Sequence, residues 1–393
     1  MLTFKLAFRN ITHAGLRTWL NVIVLSFAFV LIVFTQGLYD GMEQFIMRTT
    51  IESEIGGGQF WQRDYDPFDP LTLEDAHAPL SPGLTEAVAK GEATPLLFTS
   101  GAIFPEGRIQ PTLLKGIEPD QRILSLPSDK LKTATEPGVV PAFIGARMAK
   151  NTGLKTGDYV TVRWRDVNGT FDAIDLKIVA VMNTNVQTVD AGQVWIPLNT
   201  LRQMLQTPGE ATMVVLSRSY KTLPAEDTNW VFRDQDYLLS DLRKFIRSKK
   251  MGSYFMYALL LGMALLAIFD TQVLSIFRRR KEMGTLMALG MTRGKVISLF
   301  TTEGSFHGLL AVLVGAVYGI PLLAYAAVKG IGLPEMTQKT GLAFGATLYP
   351  TYSVSLFIGT SILLFLAVLV VSFLPTRKIS RLKPTDALRG KLS

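Results

Sequence analysis

Four apolar stretches dominate this sequence, and each is long enough to cross a lipid bilayer. A spanning helix needs about 20 apolar residues. Thr18–Tyr39 has no charge along its length, and Met251–Phe277 carries only Asp270. Ser305–Val328 has His307 near its start, and Tyr352–Pro375 has no charge. Within lipid every backbone polar group must be bonded inside its own element, so such runs leave the chain little choice but helix. The first run, behind Lys5, Arg9 and Arg17, also has the outline of a signal peptide. It is too long for an ordinary signal core and lacks a small-x-small cleavage site, so it reads as a retained span.

Charge sets the expected orientation. Residues 1–17, 278–296 and 376–393 together hold 15 Lys and Arg against two acids, Glu282 and Asp386. On the other side, 8 are set against these: Arg48, Arg243, Lys244, Arg247, Lys249, Lys250, Lys329 and Lys339. The positive-inside rule therefore predicts cytoplasmic termini. The net charge of +8 reflects this topology and lipid contact. No basic patch interleaved with aromatics points to nucleic acid.

The predicted class is an α-helical membrane protein with four spans and a large α+β extracytoplasmic domain inserted between the first two. Residues 1–17 form a cytoplasmic N-terminal helix and 18–39 the first span. Residues 40–250 form the periplasmic domain, with a stalk at 236–250, and 251–277 the second span. Residues 278–300 form a cytoplasmic helix, 304–328 the third span and 329–351 a short outer loop. Residues 352–375 are the fourth span and 376–393 the cytoplasmic tail. Residues 41–235 are mildly acidic, with 24 acids and 18 bases. Tyr159–Trp164, Leu176–Met182 and Thr212–Leu216 are rich in β-branched residues and read as strands. Gly145–Thr152 reads as a short helix closed by Gly153, and the turn Lys155–Asp158 follows. Asn168-Gly169 marks a hairpin turn, and Pro197–Leu205 a strand end running into a helix. The half from Gly56 to Phe68, aromatic and proline-rich, yields no clear element. Leu238, Leu239, Leu242, Phe245 and Ile246 share one helical face, so one helix is predicted from about Asp236 to Phe277.

Catalytic signatures are absent. Gly294-Lys295 and Gly390-Lys391 lack the upstream glycine and the hydroxyl of a phosphate-binding loop. Neither G-x-S-x-G nor H-E-x-x-H occurs. With no cysteine, thiol catalysis, disulfides and Cys-zinc sites are excluded. His13, His77 and His307 lie far apart, which argues against a histidine-rich metal site. Asp270 lies about 12 Å inside the membrane from Arg278 at 1.5 Å per residue. A charge there faces a partner helix or a cavity, which makes it a candidate for intramembrane coupling or for helix packing. Gly304, Gly308, Gly315 and Gly319 have the G-x-x-x-G spacing of close helix contacts. The remaining feature is the segment RRRKEMGTLMALGMTRGKVISLF at 278–300. It joins two spans with a short helix suited to docking a soluble partner or to resting on lipid headgroups.

That segment resembles the signature R-x-x-E-[IM]-G-x-L-x-A-L-G of the FtsX/MacB-type ABC transporter permeases. Glu303-Gly304 and the tail from Arg377 to Arg389 match the same family, the tail through its S-R-L-x-P-x-x-A-L-R ending. Weaker matches at Leu114–Pro119, Ile144–Asp158 and Val194–Leu198 resemble the periplasmic core domain of macrolide-export and lipoprotein-releasing permeases. The resemblance implies one helix before a large outer domain and three after it. It implies a second permease, alike or different, and two copies of an ABC ATPase docked on the cytoplasmic helix. The residues matched to that docking motif are Glu282, Met283, Gly284, Leu286, Ala288, Leu289 and Gly290. It further implies mechanotransmission, in which ATPase closure moves the outer domain without opening a pore. No cofactor belongs to this chain; ATP and Mg are expected on the partner ATPase. Residues 40–250 are too many for a cell-division permease of this kind, and four spans too few for an antimicrobial-peptide-sensing one. No ATPase is fused, unlike most macrolide exporters. The leading expectation is lipoprotein release from a bacterial inner membrane, with a periplasmic carrier or adaptor and membrane lipid as further partners. The alternatives are an unfused permease of a tripartite drug or peptide efflux system, and a non-transporting signal transmitter to a periplasmic enzyme.

Overall fold

The structure, a computed structural model, describes residues 16–182, 190, 192–220, 223, 227–332 and 347–379. Residues 1–15, Lys339 in the short outer loop, and the tail motif from Ser380 onward lie outside them. Among the described residues the helices run, in chain order, α1 Leu16–Thr50, α2 Pro82–Ala89, α3 Ala146–Thr152, α4 Leu198–Leu205, α5 Gln235–Arg278, α6 Arg280–Ala288, α7 Arg293–Lys329 and α8 Val354–Ile379. They divide into two units. One comprises residues 16–43, 245–332 and 347–379, and the other those between 44 and 244.

The first unit holds the membrane helices. Four helices are long and apolar enough to span a bilayer: Trp19–Ile55, Gln235–Arg278, Arg293–Lys329 and Val354–Arg377. They share a core of Val22, Leu25, Phe29 and Val33 from α1, Ala264 and Ile268 from α5, Ala311 and Leu323 from α7, and Leu364 and Val368 from α8. Leu259, Leu313, Val317, Ile362 and Leu366 stay exposed, as lipid-facing side chains do. The glycines of α7 bring its neighbours close. A methyl group added at Gly304 would lie 2.4 Å from the Ser372 hydroxyl of α8, and one at Gly308 would lie 3.3 Å from Val368. At Gly315 it would meet Phe29 of α1 at 3.0 Å, and at Gly319 Val30 at 2.6 Å. The two G-x-x-x-G pairs thus serve different partners. Pro321 lies inside α7.

The second unit is built on a mixed sheet of nine strands: β1 Gln59–Gln62, β2 Ala93–Ile103, β3 Gln110–Ile117, β4 Val139–Gly145, β5 Tyr159–Arg165, β6 Phe171–Met182, β7 Gln193–Pro197, β8 Met213–Leu216 and β9 Trp230–Arg233. Their spatial order is β9-β1-β8-β2-β3-β7-β4-β6-β5. The far end of β2 pairs with β5 as well, Gly101 opposite Trp164, so six of the strands close on themselves. Alternation along each strand sorts the side chains. Leu97, Leu114, Val140, Val162, Leu176 and Val194 join one core, capped by Leu198 and Leu201 of α4. Leu96, Phe98, Phe143, Trp195 and Met213 point to a second core on the opposite face.

Local chemistry explains several elements. Asp166 accepts from the backbone of Asn168 and Thr170 to close the β5–β6 hairpin, where Gly169 takes φ +83. Ser81 caps α2 by accepting from Leu84, with Pro82 in the first turn. Asp190 caps α3 from a distance, accepting from the amides of Ala146 and Arg147. The stretch from Gly56 to Phe68, opaque in sequence, contributes β1, which pairs with β8 and β9.

Lys115 is the exception in the second core. It is 6% exposed and lies between the rings of Phe98 and Trp195, 4.4 and 5.1 Å from their centroids. Burial pushes its ammonium down to about 8. The folded chain therefore binds this proton less tightly than the unfolded one. The cost is fully present below about pH 8 and is relieved as pH rises toward the ordinary lysine value near 10.5.

Two predictions follow the packing. Gly304→Val and Gly319→Leu are each expected to destabilise the membrane unit by about 1–3 kcal/mol through overpacking. Gly262→Ala is expected to change nothing, since its methyl meets nothing within 4 Å. Thermal unfolding in detergent reads all three, and equal midpoints would refute the close-contact account. Stability followed by tryptophan fluorescence is expected to rise between pH 8 and 10. Lys115→Met should gain about 2 kcal/mol at pH 7 and flatten that rise. An unchanged pH profile in the variant would assign it to other groups.

Candidate functional site

The helix α6 sits between α5 and α7 and is bounded by two backbone breaks. At its start Arg279 leaves helical geometry, with φ −94 and ψ 15. At its end Gly290 takes φ +95, a left-handed conformation that favours glycine. Gly290 donates to the Met287 carbonyl and Met291 to the Leu286 carbonyl, the paired bonds of a Schellman end. Leu286 and Met291 both pack on the cluster beneath.

That cluster comprises Ile276 of α5, Met283 of α6, and Val296, Leu299 and Phe300 of α7. It decides which of the seven sequence-matched residues reach the surface. Met283 is 2% exposed and Gly284 is also buried, so both serve the chain's own packing. Met283, Leu286 and Met287 turn inward because that buries their apolar area. Glu282, Ala288, Leu289 and Gly290 are exposed, and Leu289 is 80% so, a large apolar side chain open to solution. Lys281, Arg293 and Lys295 of the same segment are exposed as well.

Arg279 ties the three helices together. Its guanidinium donates to Glu282 on α6 at 2.7 Å and to both carboxylate oxygens of Glu303 on α7 at 2.7 and 2.9 Å. It also lies over the Phe300 ring, 4.8 Å from its centroid. The Glu303 side chain is 14% exposed, against 61% for Glu282, so the Glu303 bonds are the better shielded from water. Sequence reasoning missed this link because Arg279 hides among four consecutive basic residues. The available signal was Glu303, the lone acid of the 37-residue α7, since an acid in an apolar helix calls for a cation.

Asp270 lies elsewhere, on α5, with an exposed side chain. No hydrogen bond or ion pair joins its carboxylate to another described residue. The structure does not bring it to the α6 cluster.

Known proteins agree with this architecture. Residues 18–226 match the model of the MacB-like periplasmic core domain, and residues 254–384 that of the FtsX-like permease C-terminal domain. The lipoprotein-releasing system transmembrane protein LolC of Xylella fastidiosa strain 9a5c is 24% identical over 319 residues, 74% of this chain and 76% of that protein. LolC of Neisseria meningitidis serogroup B is 22% identical over 323 residues, covering 76% and 77%. An uncharacterized ABC transporter permease of Methanocaldococcus jannaschii is 34% identical over 125 residues, 32% of this chain and 29% of its own length. With a sheet domain inserted after the first of four apolar helices, and family models covering both parts, this chain belongs to the FtsX/MacB-type ABC transporter permeases and is a multi-pass membrane protein.

Proposed function

We propose that this permease passes the work of a separate ABC ATPase to its outer domain in order to release lipoproteins from a bacterial inner membrane. Its termini are cytoplasmic in this reading, the ATP and Mg sit on the ATPase, and the permease pairs with a second copy or a related chain. The observation that carries the reading is the Arg279 link. A docked ATPase would touch the exposed edge of α6 at Glu282, Ala288, Leu289 and Gly290. Because Arg279 binds Glu282 and Glu303 together, a tilt of α6 is handed to α5 and α7 instead of being lost in a flexible loop. The α5 helix then carries it along 44 residues, about 66 Å at 1.5 Å each. The lipoprotein cargo is supported by the LolC relatives, which match about three quarters of the chain. Asp270 is read as an intramembrane coupling residue that meets its partner only in the assembled transporter, since a carboxylate left facing lipid costs about 3 kcal/mol.

Three variants separate docking from transmission. Leu289→Asp is expected to reduce co-purification of the ATPase at least tenfold without altering thermal stability. Arg279→Met should leave the ATPase bound while cargo-stimulated hydrolysis falls at least tenfold. Asp270→Asn should preserve assembly and lower transport. ATPase pull-down and turnover in proteoliposomes measure all three, and normal docking and coupling in both Leu289→Asp and Arg279→Met would refute the joint.

The cargo has its own test. Depleting the permease should leave newly made outer-membrane lipoproteins in the inner membrane, and proteoliposomes with the ATPase should release them on ATP addition. Normal lipoprotein sorting after depletion would overturn this assignment and leave the mechanical reading standing.

A further inference from the structure

The geometry points to a site for a primary ammonium group at the end of the membrane helices nearest the inserted domain, filled by the headgroup of an amine-bearing phospholipid such as phosphatidylethanolamine. The site lies within the membrane unit. Asp40 and Glu43 stand one turn apart on α1, and the Lys250 ammonium of α5 bonds to both, at 2.8 and 2.5 Å. Two carboxylates share one cation, so the cluster keeps a net negative charge. Each carboxylate gives a single oxygen to Lys250, which leaves one oxygen on each without a partner among the described residues.

Asp40 and Lys250 border an open cleft of about 120 Å³, lined also by Gln36, Tyr39, Tyr254 and Tyr257 among others. Tyr257 is 8% exposed, yet its buried hydroxyl has no hydrogen-bond partner among the described residues. An unpartnered buried hydroxyl costs about 1–3 kcal/mol, so its persistence beside a cleft suggests a ligand that satisfies it. A primary ammonium has three donors and no acceptor. The free Asp40 oxygen and the Tyr257 hydroxyl belong to residues that line the cleft and can accept two of them, and Glu43, one turn from Asp40, adds negative charge. Tyrosine faces add attraction for a cation. A phosphate alone is disfavoured by the net charge, and a trimethylammonium has no proton to donate.

Position favours lipid over a soluble amine. Gln36–Glu43 lies at the end of the first apolar run, and Lys250 immediately precedes the second. This is the interfacial level where tyrosines and headgroups meet. The assignment to the outer leaflet rests on reading the 44–244 unit as extracytoplasmic.

The test is lipid retention by the full-length permease. The protein is reconstituted in vesicles of equal phosphatidylethanolamine, phosphatidylcholine and phosphatidylglycerol, re-extracted, and its bound lipid read by native mass spectrometry. Phosphatidylethanolamine is expected at least fivefold above either competitor. Asp40→Asn combined with Glu43→Gln should bring the three to parity, and Tyr257→Phe should lower the preference about threefold. Lys250→Gln removes the competing cation and should raise it. That opposite sign matters, because an ion pair that only held α1 to α5 would make every one of these variants behave alike. A fall with Lys250→Gln, or equal retention in the wild type, would overturn the site. Displacement of the bound lipid by millimolar phosphoethanolamine would overturn the lipid as occupant. Sidedness is read separately by Asn168→Cys in this cysteine-free chain. Labelling only from the cytoplasm would overturn the leaflet while the retention pattern stands.

Discussion

The membrane unit depends on how closely α7 admits its neighbours. Lipid offers no hydrophobic drive for one helix to leave another, so association rests on close packing and on hydrogen bonds. Gly304 and Gly308 take the approach of α8, and Gly315 and Gly319 that of α1. One helix thereby seats two partners at two heights. The polar groups at these contacts include Ser372 and Gln272, both buried at Gly304, and Ser26, whose carbonyl lies against Gly315.

The same helix carries the acid that anchors the joint. Glu303 precedes Gly304, so the residue that holds Arg279 and the residue that admits α8 are neighbours in sequence. A movement of α6 through Arg279 reaches α7 beside its tightest contact. The apolar cluster of Ile276, Met283, Val296 and Phe300 prevents α6 from swinging free. Packing supplies the stiffness, and the charge-assisted bonds supply direction, because one guanidinium holds carboxylates of two helices at once.

The sheet unit solves a different problem. Antiparallel hairpins and two parallel pairings, β3 with β7 and β4 with β6, are drawn into a curve that lets β2 meet β5. Closure protects strand edges that would otherwise invite pairing with another chain. Two cores result, one on each face, and Lys115 lies over the Phe98 and Trp195 rings of the second. The parallel Phe143 and Trp195 rings, 5.8 Å apart, continue that row across the sheet.

By itself the sequence determined the elements whose cause is local. Length and apolarity dictate the spans, because lipid admits helices of a given length. The runs from Thr18, Met251 and Ser305 fall within α1, α5 and α7, and the run from Tyr352 begins two residues before α8. Short-range chemistry likewise marked the Asn168-Gly169 hairpin, the helix closed by Gly153 and the strand that runs into α4. Tertiary structure decided whatever needs residues far apart in the chain. Met283 repeats with helical periodicity, and periodicity cannot say whether an apolar face meets a partner or its own chain. The fold turned it inward and left Leu289 outside. Lys115 reads as a surface charge until strands β2 and β7 place aromatic rings on either side of it. Arg279 and Glu303, 24 residues apart, and Lys250 with Asp40, 210 apart, become pairs only when helices pack, since no local rule links positions at such separations.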